Sequence, residues 1–169
     1  DVGQGLSAVI QTQNHAMVFD TGPRFSDSFD TGSAVVLPFL RQKQIQKLDL
    51  LMVSHGDNDH IGGARSLLQN VAIKQVYSSV PALLGSKATV CQRGMKWEWD
   101  GVVFHILHPD TTNMDKKENN QSCVLLIKSP SGSILLPGDI ERNAEYQLVE
   151  YSERELQADI LVAPHHGSK

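Results

Sequence analysis

Long apolar runs are missing from this sequence. No stretch comes near the roughly 20 apolar residues of a membrane-spanning helix, and no signal-peptide pattern precedes the first polar segment. The chain begins at Asp1 without a Met and stops at Lys169, so both ends read as cut from a longer protein. Positive charge is also scarce. The net charge is −4, which argues against tight nucleic-acid binding through phosphate contacts alone. It does not argue against a metal enzyme, because bound cations offset a carboxylate-rich site. Only two cysteines occur, Cys91 and Cys123, with no Cys-x-x-Cys spacing. Two buried or half-buried thiols are the expected state, although one disulfide fits the spacing equally. Aromatic residues make up only 6% of the chain. Trp97, Trp99 and Phe25 are the candidates for stacking on bases, and their expected place is the core.

What is present is enough for one domain with a real core: 169 residues, of which 40% are hydrophobic and 20% charged. Strands are expected at 6–12, 16–20, 48–54, 74–78 and 87–93. Helices are expected within 33–44, with Pro38 in the first turn or at a kink, and at 63–69. Asp100-Gly101 marks a two-residue hairpin turn. A second hairpin is expected around Ser129-Pro130-Ser131-Gly132, followed by a helix from about Glu141 to Tyr151 and a last strand over 158–163. Strands outnumber helices, which points to sheets with helices outside them, an α/β or α+β sandwich.

The chain is organised around residues 54–63, Ser-His-Gly-Asp-Asn-Asp-His-Ile-Gly-Gly. Four metal-binding side chains, His55, Asp57, Asp59 and His60, fall within six residues. They follow a Leu- and Val-rich run expected to be a buried strand, and loops after such strands are where α/β folds place ligands. Polar groups mark three further strand ends: Asp20, Asp139 and the pair His165-His166. A lone His-x-Asp is most often a solvated loop, and Asp139 alone would pass for a helix N-cap. The density of the cluster favours metal ligation. Imidazole and carboxylate together suit zinc or manganese, and two such ions suit phosphodiester cleavage. Asp20 is read as a structural brace, and His15, His105 and His108 as turn or strand residues without a role.

His55-Gly-Asp57-Asn-Asp59-His60 resembles the His-x-His-x-Asp-His signature of the metallo-β-lactamase superfamily, with Asp at the second His position. Pro137-Gly138-Asp139 resembles its bridging Asp, and His165 or His166 its last His. Asp1-Val2-Gly3-Gln4-Gly5, Asn119-Asn120-x-Ser122 and Pro164-His165-His166-Gly167-Ser168 narrow the resemblance to the C-terminal domain of the ComEC family of DNA-uptake channel proteins.

This resemblance implies a metallo-β-lactamase-like αββα sandwich over 1–169, cut short at its C-terminus. It implies two divalent ions, manganese or zinc. His55 and Asp57 would hold the first ion, Asp59, His60 and His165 the second, and Asp139 would bridge. Asn120 and Ser122 stand where the wider superfamily has a His, so the first site is expected to be weak or empty, and these two residues are candidate substrate contacts with Lys169. Asp59 would orient or deprotonate the attacking water, and His166 or Lys169 would stabilise the developing charge. The implied activity is a nuclease that degrades the non-imported strand, acting on single-stranded DNA beside the membrane channel of the same protein, on the extracytoplasmic side of a bacterial inner membrane. Two alternatives stand beside it: an esterase of phosphorylcholine or another small phosphodiester, and a non-catalytic, metal-bound module that recognises DNA.

Overall fold

The computed structural model describes residues 3–110, 117–152 and 155–167, and the chain divides into two compact units at Val90 and Cys91. The first unit is built on a five-stranded mixed sheet in the order β1-β2-β3-β4-β5. Its strands are β1 (Ala8–Gln11), β2 (Ala16–Phe19), β3 (Lys47–Val53), β4 (Ala72–Ser78) and β5 (Ala88–Val90). β1 and β2 form an antiparallel hairpin, and the other pairings are parallel. β3 takes the centre because Leu48, Leu50, Leu51, Met52 and Val53 are all buried, as central parallel strands require. Its one partly buried carboxylate, Asp49, accepts the backbone N–H of Ala16 at 3.2 Å.

Pro38 falls in the first turn of α1 (Leu37–Gln42), directly after a π-helical turn, Gly32–Val36. With α3 (Ala64–Asn70) these segments supply Val36, Leu37, Leu40, Ala64 and Leu67 to a core that includes Leu48, Leu51 and Val53 of β3. Truncating a side chain such as Leu51 to Ala would cost about 2–5 kcal/mol.

The second unit holds a five-stranded sheet in the order β10-β9-β8-β7-β6. β6 (Lys96–Trp99), β7 (Val102–His108), β8 (Val124–Ser129) and β9 (Gly132–Leu136) are antiparallel neighbours, and β10 (Ile160–Leu161) joins β9 in parallel. Asp100 and Gly101 both adopt positive φ, 52° and 80°, the two left-handed residues of the expected tight hairpin. α4 (Arg142–Ser152) lays Ala144 and Leu148 against Leu107, Val124, Leu126 and Leu135.

Four expectations need correction. Cys91 and Cys123 are joined in a disulfide, with Cα atoms 6.1 Å apart, and are not thiols. β5 ends at Val90 rather than continuing to 93. The last strand is only Ile160–Leu161, because the Asp159 carboxylate turns back to accept the backbone N–H of Ser133 at 2.7 Å and its hydroxyl at 2.8 Å. Trp97 is half-buried and stacks on the buried Phe104 with ring centroids 5.2 Å apart, but Phe25, expected in the core, is 61% exposed.

Candidate metal centre

The first unit presents four candidate ligands, His55, Asp57, Asp59 and His60, after the C-terminal end of β3. Asp20 follows β2 and adopts φ 56°, a left-handed conformation that Asp tolerates better than most residues. This turn carries its carboxylate under the cluster. Oδ1 accepts the backbone N–H of Ser54 at 2.7 Å. Oδ2 lies 2.7 Å from both the Ser54 hydroxyl and Nδ1 of His60. All of these groups are fully buried.

The network assigns the imidazole tautomers. The single hydroxyl proton of Ser54 goes to Asp20, so the 2.9 Å contact between Ser54 Oγ and His55 Nδ1 has His55 as donor. His60 Nδ1 likewise donates to the Asp20 carboxylate. Both rings therefore carry their proton on Nδ1 and their lone pair on Nε2, the tautomer a metal ligand needs. The rings lie 4.2 Å apart between centroids. Asp57 Oδ2 sits 3.5 Å from His55 Nε2, and Asp57 is half exposed. Asp59 and His60 hold ligand atoms within 4.8 Å of each other.

The cluster is not wholly a loop. Asn58–Ile61 forms one helical turn, α2, which places Asp59 and His60 side by side. Glycine makes this turn possible. A Cβ on Gly62 would lie 2.2 Å from the backbone nitrogen of Arg24, and one on Gly63 2.4 Å from that of Gly32. The N-terminal Gly5 serves the same turn, since a Cβ there would meet the Asp59 carbonyl oxygen at 2.3 Å. Thr21 closes the other side, its backbone N–H and hydroxyl both donating to the His60 carbonyl at 2.8 Å.

The second unit presents Asp139 and the His pair. Asp139 is buried and follows Gly138, which adopts φ 61°. His165 and His166 both have positive φ, 47° and 53°, inside the turn Pro164–Gly167. Nε2 of His166 lies 3.4 Å from Oδ2 of Asp139. His165 instead lines an open cleft of about 780 Å³ with Lys117, Arg142, Tyr146, Val149 and Pro164.

Asn120 and Ser122 are buried, and they grip the Asp139 turn. Ser122 Oγ accepts the backbone N–H of Asp139 at 3.2 Å, and Asn120 Oδ1 accepts that of Glu141 at 2.8 Å. His108 in turn donates from Nε2 to the Asn120 carbonyl at 2.7 Å. Cys123, next in the chain, anchors this clasp through the disulfide. Lys169 lies outside the described residues.

Sequence reasoning missed Ser54 and the clasp role of His108. Ser54 stands directly before His55, a position from which a hydroxyl reaches the ring nitrogen. Nothing in the sequence marks His108.

The chain belongs to the metallo-β-lactamase superfamily, whose family model matches residues 1–169. Among its relatives is the competence protein ComA of Neisseria gonorrhoeae, 34% identical over 170 residues, covering 99% of this chain and 23% of ComA. Another is recombination protein 2 of Haemophilus influenzae, 35% identical over 180 residues and covering 100% of this chain and 21% of that protein. Both are ComEC-type competence proteins. The chain thus spans less than a quarter of the length of these two relatives. Among solved structures, Rm3 metallo-beta-lactamase matches with a TM-score of 0.65 at 17% identity, covering 94% of this chain and 71% of that one, and shows the shared fold. The two mixed sheets with helices have the α+β character of that fold. Among the described residues no helix is long and apolar enough to cross a membrane.

Proposed function

We propose that this chain is the hydrolytic part of a DNA-uptake protein, a metal-dependent phosphodiesterase that cleaves single-stranded DNA. The observation that carries the reading is the Asp20–Ser54 network. It fixes two buried imidazoles in the ligating tautomer, beside the carboxylates of Asp57 and Asp59. The competence-protein relatives supply the DNA-uptake context.

The donor set, imidazole nitrogen with carboxylate oxygen, fits zinc or manganese. His55 and Asp57 would hold one ion, and Asp59 and His60 the other. The Pro137-Gly138-Asp139 motif would make Asp139 the shared ligand. Its 3.4 Å approach to His166 favours His166 over His165 as the partner imidazole. Divalent ions held this way polarise a phosphodiester and make water more acidic.

The protein residues do the remaining work. Asp20 and Ser54 keep protons on Nδ1 of His60 and His55, so each Nε2 retains its lone pair. The Asp59 carboxylate takes the proton of the attacking water as the new P–O bond forms; the old P–O bond breaks, and the leaving sugar oxygen takes a proton from solvent. Ser122 and Asn120 hold the Asp139 turn and, being buried, are better suited to that than to touching substrate. Arg142, which lines the cleft with His165 and Lys117, is a cation suited to a phosphate.

The disulfide supports a location outside the reducing cytoplasm, and we place this part on the extracytoplasmic side of the inner membrane, next to the channel of the same protein.

The test is cleavage of end-labelled single-stranded DNA with added manganese or zinc. Asp59→Ala should lower the rate about 10²–10⁴-fold, the range of a lost general base. Cleavage that survives chelation, or a variant as active as the parent, would overturn the reading.

A further inference from the structure

We propose that Phe25 and Phe29 form a stacking grip for unpaired bases of a nucleic-acid strand, held against the metal-binding turn. The inference rests on the DNA reading of the site and adds the feature that would distinguish a strand from a small phosphodiester. The two rings are 61% and 52% exposed, in a chain that buries Phe19 and Phe104 completely. They stack on each other, with centroids 5.5 Å apart and planes inclined by 27°. Two adjacent aromatic residues left in water cost free energy unless something covers them.

The loop that carries them is built to hold its shape. Arg24 and Asp30 pair across its base. Phe25 and Ser26 both donate backbone N–H groups to the Phe29 carbonyl, at 2.9 and 3.1 Å. Asp30 accepts the Ser33 backbone N–H at 2.8 Å and the Ser66 hydroxyl at 2.6 Å.

The loop is also tied to the cluster. Asn58, the first residue of α2, accepts the Arg24 N–H at 3.2 Å and donates to the Arg24 carbonyl at 3.0 Å. The next two residues of that turn are the candidate ligands Asp59 and His60. A base seated on the Phe pair would therefore be registered against the turn that meets the phosphate. Stacking is indifferent to base identity, as a degradative enzyme requires.

A membrane surface is the other apolar occupant worth testing. An anchor in lipid would need no tie to α2, and the loop has one through Asn58 and Arg24.

The experiment measures equilibrium binding of the protein, with metal chelated, to labelled oligothymidylate and to an abasic oligomer of equal length and charge. The parent should favour the oligomer with bases by about tenfold. The double variant Phe25→Ala/Phe29→Ala should lose that preference while binding the abasic oligomer as before. Phe25→Trp should keep it. Because both rings are exposed, the double variant should unfold at the parent's temperature.

Equal binding of both oligomers by the parent would overturn the proposal. So would a double variant that keeps the preference, or one whose only defect is binding to vesicles of phosphatidylcholine and phosphatidylglycerol. A parent that shows the base preference but cleaves no DNA with metal would overturn the hydrolase reading and leave the stacking grip standing.

Discussion

The two units of the chain hold their candidate ligands in different ways. In the first unit the ligands stand at the end of a buried central strand, and their orientation is set by polar partners that are themselves fully buried. In the second, Asp139 and His166 stand on turns with left-handed residues at Gly138, His165 and His166, steadied by the 119–123 clasp and its disulfide. In the first unit, hydrogen bonds choose a tautomer. In the second, hydrogen bonds from Asn120 and Ser122 are backed by a covalent link that limits backbone freedom. Chemical perturbations should therefore separate them.

The largest effect is expected from the disulfide. The link closes a loop spanning 32 residues of sequence separation, and Cys91→Ser/Cys123→Ser should cost roughly 3–4 kcal/mol of stability on the chain-entropy account. Urea unfolding of the oxidised parent against the variant measures this. An unchanged midpoint would mean that the clasp does not depend on the bond.

Next comes Asp20→Asn, which perturbs only the first unit's ligands. Asn keeps the shape and tolerates φ 56°. Its amide, facing His60 Nδ1, would donate rather than accept and drive the ring proton onto Nε2. Metal affinity should fall about 10–100-fold, the usual cost of losing such a partner, as read by titration calorimetry with zinc. The disulfide variant, by contrast, should leave the imidazoles of the first unit in their tautomer.

The smallest effect is electrostatic and involves neither set of candidate ligands. Burial lowers the pKa of His105 from its ordinary 6.5, against an opposing pull from Glu155 3.3 Å away. A depressed folded-state pKa favours the neutral ring. The stability it protects is complete above pH 6.5 and is lost as pH falls from there through the lowered value. Denaturation midpoints between pH 8 and 5 should decline slightly less in His105→Gln than in the parent. Matching slopes would refute the assignment.

The two units also differed in how legible they were in the sequence. The Leu- and Val-rich run of β3 and the density of ligands after it announced the first unit's ligands, and Asp20 was readable as a brace. Asp100-Gly101 and Ser129-Pro130-Ser131-Gly132 fixed two hairpins, because tight turns have strong local chemistry. The second unit depends on contacts distant in sequence. Spacing could not show that Cys91 reaches Cys123, that Asp159 would end a strand by bonding Ser133, or that His108 would hold Asn120. The exposure of Phe25 was hidden for a related reason: an aromatic in a polar loop reads as core until the fold shows which way the loop faces.

The central claim is that these side chains hold divalent metal, and its most direct test is metal content. The folded protein, dialysed against zinc or manganese and then against metal-free buffer, should retain at least one ion per chain by elemental analysis, with Asp20→Asn retaining less. A well-folded parent that retains none, with a variant indistinguishable from it, would contradict the account.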